Sequence, residues 1–232
     1  PSMMCALRRR LGLPVADIMT RCEARTCRAR LDPHGHHRLA RTRSGRIHGR
    51  HKSLIYAWRQ VCIEAGGHVP RRNIERMLRD THVPVPAEDN RRLDLIVTGT
   101  GVARGLPLFC DVTCVTPIAA AGHARSGATN ANGRLLHHAL RDNNANYAEV
   151  IESGLGKLLC LGVEVYGRWG DESLELLTAF AAEKARSSPP ALQRSARMQW
   201  HRRWSGLAVR RGCAAGGGPG RAAGCGRRSG RR

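Results

Sequence analysis

Apolar and polar residues alternate most clearly between Arg91 and Val115, in the run RRLDLIVTGTGVARGLPLFCDVTCV. Two short stretches rich in β-branched residues flank a Gly-rich turn, Thr98 to Gly105, which predicts a β-hairpin or an adjacent strand pair. In the second stretch Leu106, Leu108, Cys110, Val112 and Cys114 share one face, while Phe109, Asp111, Thr113 and Val115 share the other, because strand side chains alternate. Each stretch holds one acid, Asp94 or Asp111. A carboxylate inside an apolar strand costs free energy unless it is paired, hydrogen-bonded or bound to a metal. Two on neighbouring strands form a candidate site for Mg²⁺, a hard ion that takes oxygen ligands. The alternative is that one acid lies in solvent at a strand end and the other pairs with an arginine such as Arg91 or Arg92.

Helical spacing is clear in several other places. Leu54, Ile55, Trp58, Val61, Cys62 and Ala65 predict an amphipathic helix over residues 52–65, stopped by Gly66-Gly67. Leu136, Leu140, Asn143, Tyr147 and Val150 form a stripe on a helix over 134–152. Asp171 is placed to cap a helix over 171–186 with Leu174, Leu177 and Phe180 inward. Pro189-Pro190 opens a last helix, with Leu192, Ala196, Trp200, Trp204 and Leu207 set against Arg194, Arg197, His201, Arg202 and Arg203. A third strand is expected over 158–166, and Val69 to Leu78 reads as a strand passing into a turn. This order predicts an α/β class, with α+β open, built on a small mixed central sheet flanked by helices. The segments are residues 1–20, part of an upstream region; 21–51, rich in Cys and His; 52–186, the core; 187–211, a basic helix; and 212–232, a disordered Gly/Ala/Arg tail.

Composition changes the picture through charge. The net charge of +21 predicts attraction to a polyanion, with nucleic acid ahead of an anionic membrane surface. From Ser187 to the end there are 11 arginines and no acid, so the first 186 residues keep a net +10. With aromatics at 4%, base-stacking platforms are not evident. No apolar run of membrane-spanning length and no signal peptide is present, and the nine Cys are scattered, so the chain reads as intracellular, with nuclear residence following from its expected partner. Cys62, Cys110, Cys114 and Cys160 fall on apolar faces and read as core residues. In the Cys/His-rich segment Cys22-x4-Cys27 is followed by His34, His36, His37, His48 and His51, so the segment is either a loop or organised by a metal.

Taken in order, Cys22-x4-Cys27, Leu31-Asp32-x2-Gly35-x-His37, Arg50-His51-x2-Leu54, Arg92-Leu93-Asp94, Asp111-Val112-Thr113 and Gly167-x-Trp169 resemble the restriction-endonuclease-like, PD-(D/E)xK, domain that follows the reverse transcriptase in some non-LTR retroelements, over roughly residues 20 to 205. The resemblance implies central strands flanked by helices, two acids that bind Mg²⁺, and a lysine that activates water. Asp94 matches the first acid, with Leu93 where the family has Pro, and Asp111 matches the second. The lysine of other members falls at Thr113 or, in the retroelement branch, at Asn143, four residues before the matching Tyr147. An upstream helix acid of the relatives falls near Ile55. The zinc knuckle of the relatives maps onto Cys22, Cys27, His37 and, in place of its last Cys, Arg41, with His34, His36 or His48 as substitutes. The expected catalytic set is thus Asp94, Asp111, Thr113, Asn143 and Tyr147, lacking its cation, and phosphate contacts are expected at Arg50, His51, Arg194, Arg197, Arg202 and Arg203. The resemblance therefore implies an inactive, nucleic-acid-binding relative that takes no small-molecule cofactor and no membrane. The alternative is a Mg²⁺-dependent endonuclease that nicks target DNA for retroelement insertion.

Overall fold

The computed structural model describes residues 7–8, 11–15, 21–22, 27–40 and 46–214, with side chains from 47 to 206 in the last segment. Arg41, most of residues 1–20 and the tail from 215 onward lie outside the described residues. The helices are α1 (His36–Ala40), α2 (Arg46–Glu64), α3 (Arg134–Asn146), α4 (Ala148–Ser153), α5 (Asp171–Ala185) and α6 (Gln193–Ala214). The strands are β1 (Arg76–Met77), β2 (Arg92–Leu93), β3 (Leu95–Val97), β4 (Leu108–Val115) and β5 (Lys157–Glu164). The class is mixed α/β, with small sheets flanked by helices.

The central sheet has the order β3-β4-β5. β3 and β4 form the expected antiparallel hairpin, with Leu95 opposite Cys110 and Val97 opposite Leu108. β4 and β5 run parallel over eight residue pairs from Leu108↔Lys157 to Val115↔Glu164. A parallel pair needs a long crossover, and α3 with α4 supplies it. Both sheet faces are covered, so β4 buries alternate residues in two different places. Leu108, Cys110 and Val112 join Leu95, Val97, Leu159 and Leu161 in a core with Leu54 and Trp58 of α2, Leu177 and Phe180 of α5, and Trp200 and Trp204 of α6. Phe109 joins Leu93, Leu158, Tyr147 and Val150 on the other side.

Some elements depart from expectation. α2 begins at Arg46, so Arg50 and His51 lie within a helix and not before it. The expected single helix over 134–152 is broken at Tyr147 (φ −125°, ψ 37°), whose hydroxyl donates to Arg92 O at 2.5 Å and ties the break to β2. In α5 Leu177 and Phe180 are buried as expected, with Leu176 and Ala181 beside them, while Leu174 lies at the edge of that face and is 38% exposed. Leu192 is likewise 57% exposed, and α6 packs through its two tryptophans. Val69 to Leu78 holds only two strand residues before a 3₁₀ turn, Leu78–Asp80, and β1 pairs with β2 in a separate two-stranded sheet.

Phe180 is fully buried between sheet and helices, so Phe180→Ala is expected to cost about 3 to 5 kcal/mol, whereas the partly exposed Leu174→Ala costs about 1 kcal/mol or less. Urea unfolding of the two variants, followed by circular dichroism, measures the difference.

Candidate functional site

Asp94 occupies the bend between β2 and β3, where the chain passes from one core to the other: Leu93 packs in the second and Leu95 in the first. It is 7% exposed. Its Oδ2 accepts the backbone N–H of Val112 at 2.7 Å and a bond from His51 Nε2 at 3.0 Å. His51 Nε2 also lies 2.8 Å from Val112 O. Both neighbours are acceptors, so Nε2 carries the proton. The Asp94 bond first, and then the Asp94 charge, hold the imidazole pKa above its ordinary 6.5 against the opposing effect of burial. Arg91 takes no part: its guanidinium pairs with Asp89 at 2.6 Å and Glu149 at 2.8 Å, and it donates to Asn146 O.

Asp111 lies one strand over, on the β4 face that carries Phe109 and looks toward α3. Burial, then the negative charge of Asp94, pushes its carboxyl up to about 6, opposed by the His51 charge and by the nearby polar groups of Asn143 and Tyr147. The same two acids, with burial as the largest cause, hold the Tyr147 phenol above its usual value. Asn143 is 6% exposed and its Oδ1 has no hydrogen-bond partner. A buried, orphaned acceptor on a side chain that neighbours the Asp111 carboxylate is an arrangement that a cation would complete. Thr113 shares the Asp111 face at the position paired with Gly162.

The second cluster is Cys22, Cys27 and His37, whose ligand atoms all lie within 4.8 Å of one another; among the described residues it is the one group of three such side chains that could hold a metal ion. Cys27 Sγ is 3.3 Å from His37 Nε2. Local structure makes this geometry. Cys22 N donates to Ala29 O, and the carboxylate of Asp32 accepts the N–H groups of His36 and His37, each at 2.9 Å, at the start of α1. Burial raises the Asp32 pKa, but these bonds together outweigh it and hold the carboxyl below its usual value. His36 Nδ1 lies 2.6 Å from the Tyr166 hydroxyl just after β5, which fastens the segment to the sheet.

The expected phosphate contacts divide. Arg50 is 2% exposed, donates to Leu39 O at 3.2 Å and joins α1 to α2, so it is corrected from a contact surface to a buried strut. His51, its side chain 32% exposed, bonds Asp94. Arg203 is held by Glu64 at 3.1 Å and lies over the Trp204 ring, while Arg194, Arg197 and Arg202 are exposed on α6. Glu164, buried at the end of β5, meets Arg168 at 3.8 Å and does not join the acids. Sequence reasoning does not find the His51–Asp94 bond, although the motif Arg50-His51-x2-Leu54 is its signal: His51 lies one turn before the core residues Leu54 and Ile55. Compared with known proteins, the chain matches no protein-family model and no curated protein.

The two pKa shifts act in the same direction. A carboxyl raised from 3.8 to about 6 keeps its proton longer in the native state, so native stability falls as pH rises through that window. The raised His51 contributes stability that is complete below 6.5 and fades as pH climbs past its folded value. Chelator-treated protein is therefore expected to be less stable at pH 8 than at pH 5.5. Asp111→Asn is expected to flatten that slope and to gain on the order of 2 kcal/mol at pH 8, read from urea midpoints across the pH range.

Proposed function

We propose that this chain is a degenerate relative of the PD-(D/E)xK domains of retroelements, which binds nucleic acid through its phosphates and has lost phosphodiester hydrolysis. The single observation behind the reading is the placement of Asp94, at the bend into β3, beside Asp111 on the neighbouring strand β4, where burial and then the Asp94 charge push the Asp111 carboxyl up. Mg²⁺ is the ion that suits two carboxylates and an amide oxygen, and Asp94, Asp111 and Asn143 would hold it. When bound, the metal would polarise a phosphoryl oxygen and lower the pKa of water. Hydrolysis also needs a positioned cation for the charge that develops in the transition state, and Thr113 and Asn143 are neutral; losing one such donor typically costs about 10² to 10³ in rate. None of the three lysines of the chain, Lys52, Lys157 and Lys184, forms an ion pair with either acid among the described residues.

For the Cys22, Cys27 and His37 cluster the proposed ion is zinc, because two thiolates and an imidazole are a soft, borderline donor set that hard cations do not favour. Its role would be to fold a segment whose polar composition cannot build a core.

A second reading, retained hydrolysis, has one observation in its favour: Asp94 holds His51 Nε2 at 3.0 Å and raises the imidazole pKa, which favours a cationic ring beside the first acid in a chain that lacks the family lysine. The two readings separate in one assay. The inactive domain is expected to bind duplex DNA with an affinity that falls steeply between low and physiological salt, and to leave supercoiled plasmid intact with Mg²⁺ present. Nicking that requires Mg²⁺ and disappears in both Asp111→Ala and His51→Ala would establish the enzyme instead.

A further inference from the structure

A concavity of about 840 Å³ lies between α2 and the segment leading into β1, and its lining includes Lys52, Arg71, Arg72, Arg76 and Arg92. All five are exposed, and among the described residues none has an ion pair or a side-chain hydrogen bond to an acid. The acids of the groove are Glu75 and Asp80, and Asp80 faces Arg79 at 3.9 Å. Arg91, Arg168, Arg186 and Arg203 each meet a carboxylate, whereas Arg194, Arg197 and Arg202, exposed on α6, are as unpaired among the described residues as the groove set but line no concavity with it. Five cations against two acids leave the groove net positive, so its like charges repel and cost stability, and a polyanion relieves that cost. Tyr56, 54% exposed, adds an aromatic face to the lining. The groove also adjoins the acid pair, since Lys52 follows His51 on α2 and Arg92 stands two residues before Asp94.

We infer that this groove, and not the arginine face of α6, is the surface that seats a nucleic-acid backbone. The inference rests on the nucleic-acid-binding reading and gives it a location. Repeated phosphodiester charges match cations spread across two elements. An anionic membrane fits less well, because a flat bilayer cannot reach the floor of a concave groove, where Ile55 is 3% exposed.

The test uses the full chain and a fluorescent duplex of about 20 base pairs, with anisotropy measured over a range of KCl. The triple variant Arg71→Ala, Arg72→Ala, Arg76→Ala is expected to bind at least about tenfold more weakly at low salt. Its slope of log affinity against log salt is expected to shrink by about 2 to 3, on the order of 0.9 for each phosphate that is no longer neutralised. The matching variant Arg194→Ala, Arg197→Ala, Arg202→Ala keeps the affinity and slope of the parent. Thermal melts confirm that both remain folded, and Arg71→Lys, Arg72→Lys, Arg76→Lys restores most of the binding because the phosphates are held by charge. Loss of binding in the α6 variant with none in the groove variant would overturn the inference while leaving the nucleic-acid reading standing. A parent chain that ignores the duplex, or that binds phosphatidylserine vesicles or polyglutamate as tightly, would overturn both.

Discussion

One carboxylate holds the centre of this fold together. Asp94 Oδ2 takes a backbone N–H from β4 and a ring nitrogen from α2, so strand, hairpin partner and helix meet at a single buried oxygen. Removing one partner of such a group leaves a buried charge without compensation, which is costlier than the net worth of the bonds themselves. The position of Asp94 at the bend also lets Leu93 and Leu95 enter different cores. Much else depends on it: the tautomer of His51, the start of the central sheet, and a negative charge that adds to burial, the larger cause, in raising the pKa of the neighbouring Asp111.

From that arrangement comes a site rich in acceptors and poor in cations. Asp94 and Asp111 supply carboxylates, Asn143 an orphaned amide oxygen, and Thr113 and Tyr147 neutral hydroxyls. Such a set suits a divalent cation far better than it suits the transition state of hydrolysis, which needs positive groups fixed where charge develops. Charge is abundant in the chain but placed elsewhere, in the groove beside α2 and along α6. The proposed retention of binding without cleavage rests on that separation.

The hairpin of β3 and β4, strand β5 and the helices α2, α5 and α6 are legible in sequence, because period-2 and period-3.6 patterns survive wherever one face is buried. Alternation in β4 correctly puts Asp111 with Phe109 and Thr113, since register is fixed once both faces have partners. The convergence of Cys22, Cys27 and His37 is legible from a motif order rather than from any pattern of burial. The features that stay hidden are long-range. The ring of His51 reaches Asp94 across 43 positions, and no local rule links them. Arg50 reads as a surface cation, as most arginines are, yet it is buried against Leu39 O. The break at Tyr147 depends on a hydroxyl that finds Arg92 O, again a tertiary bond overriding helix propensity.

The claim that Asp94 and Asp111 form a divalent-cation site is tested most directly by titrating Mn²⁺, a spectroscopic stand-in for Mg²⁺, into the full chain at pH 7.5 and following the loss of the free-ion electron paramagnetic resonance signal. One Mn²⁺ bound per chain, displaced by excess Mg²⁺, abolished in Asp111→Asn and unaffected in Cys27→Ser, is the result this account predicts. Binding that is absent in the parent chain, or that persists undiminished in Asp111→Asn, would contradict it.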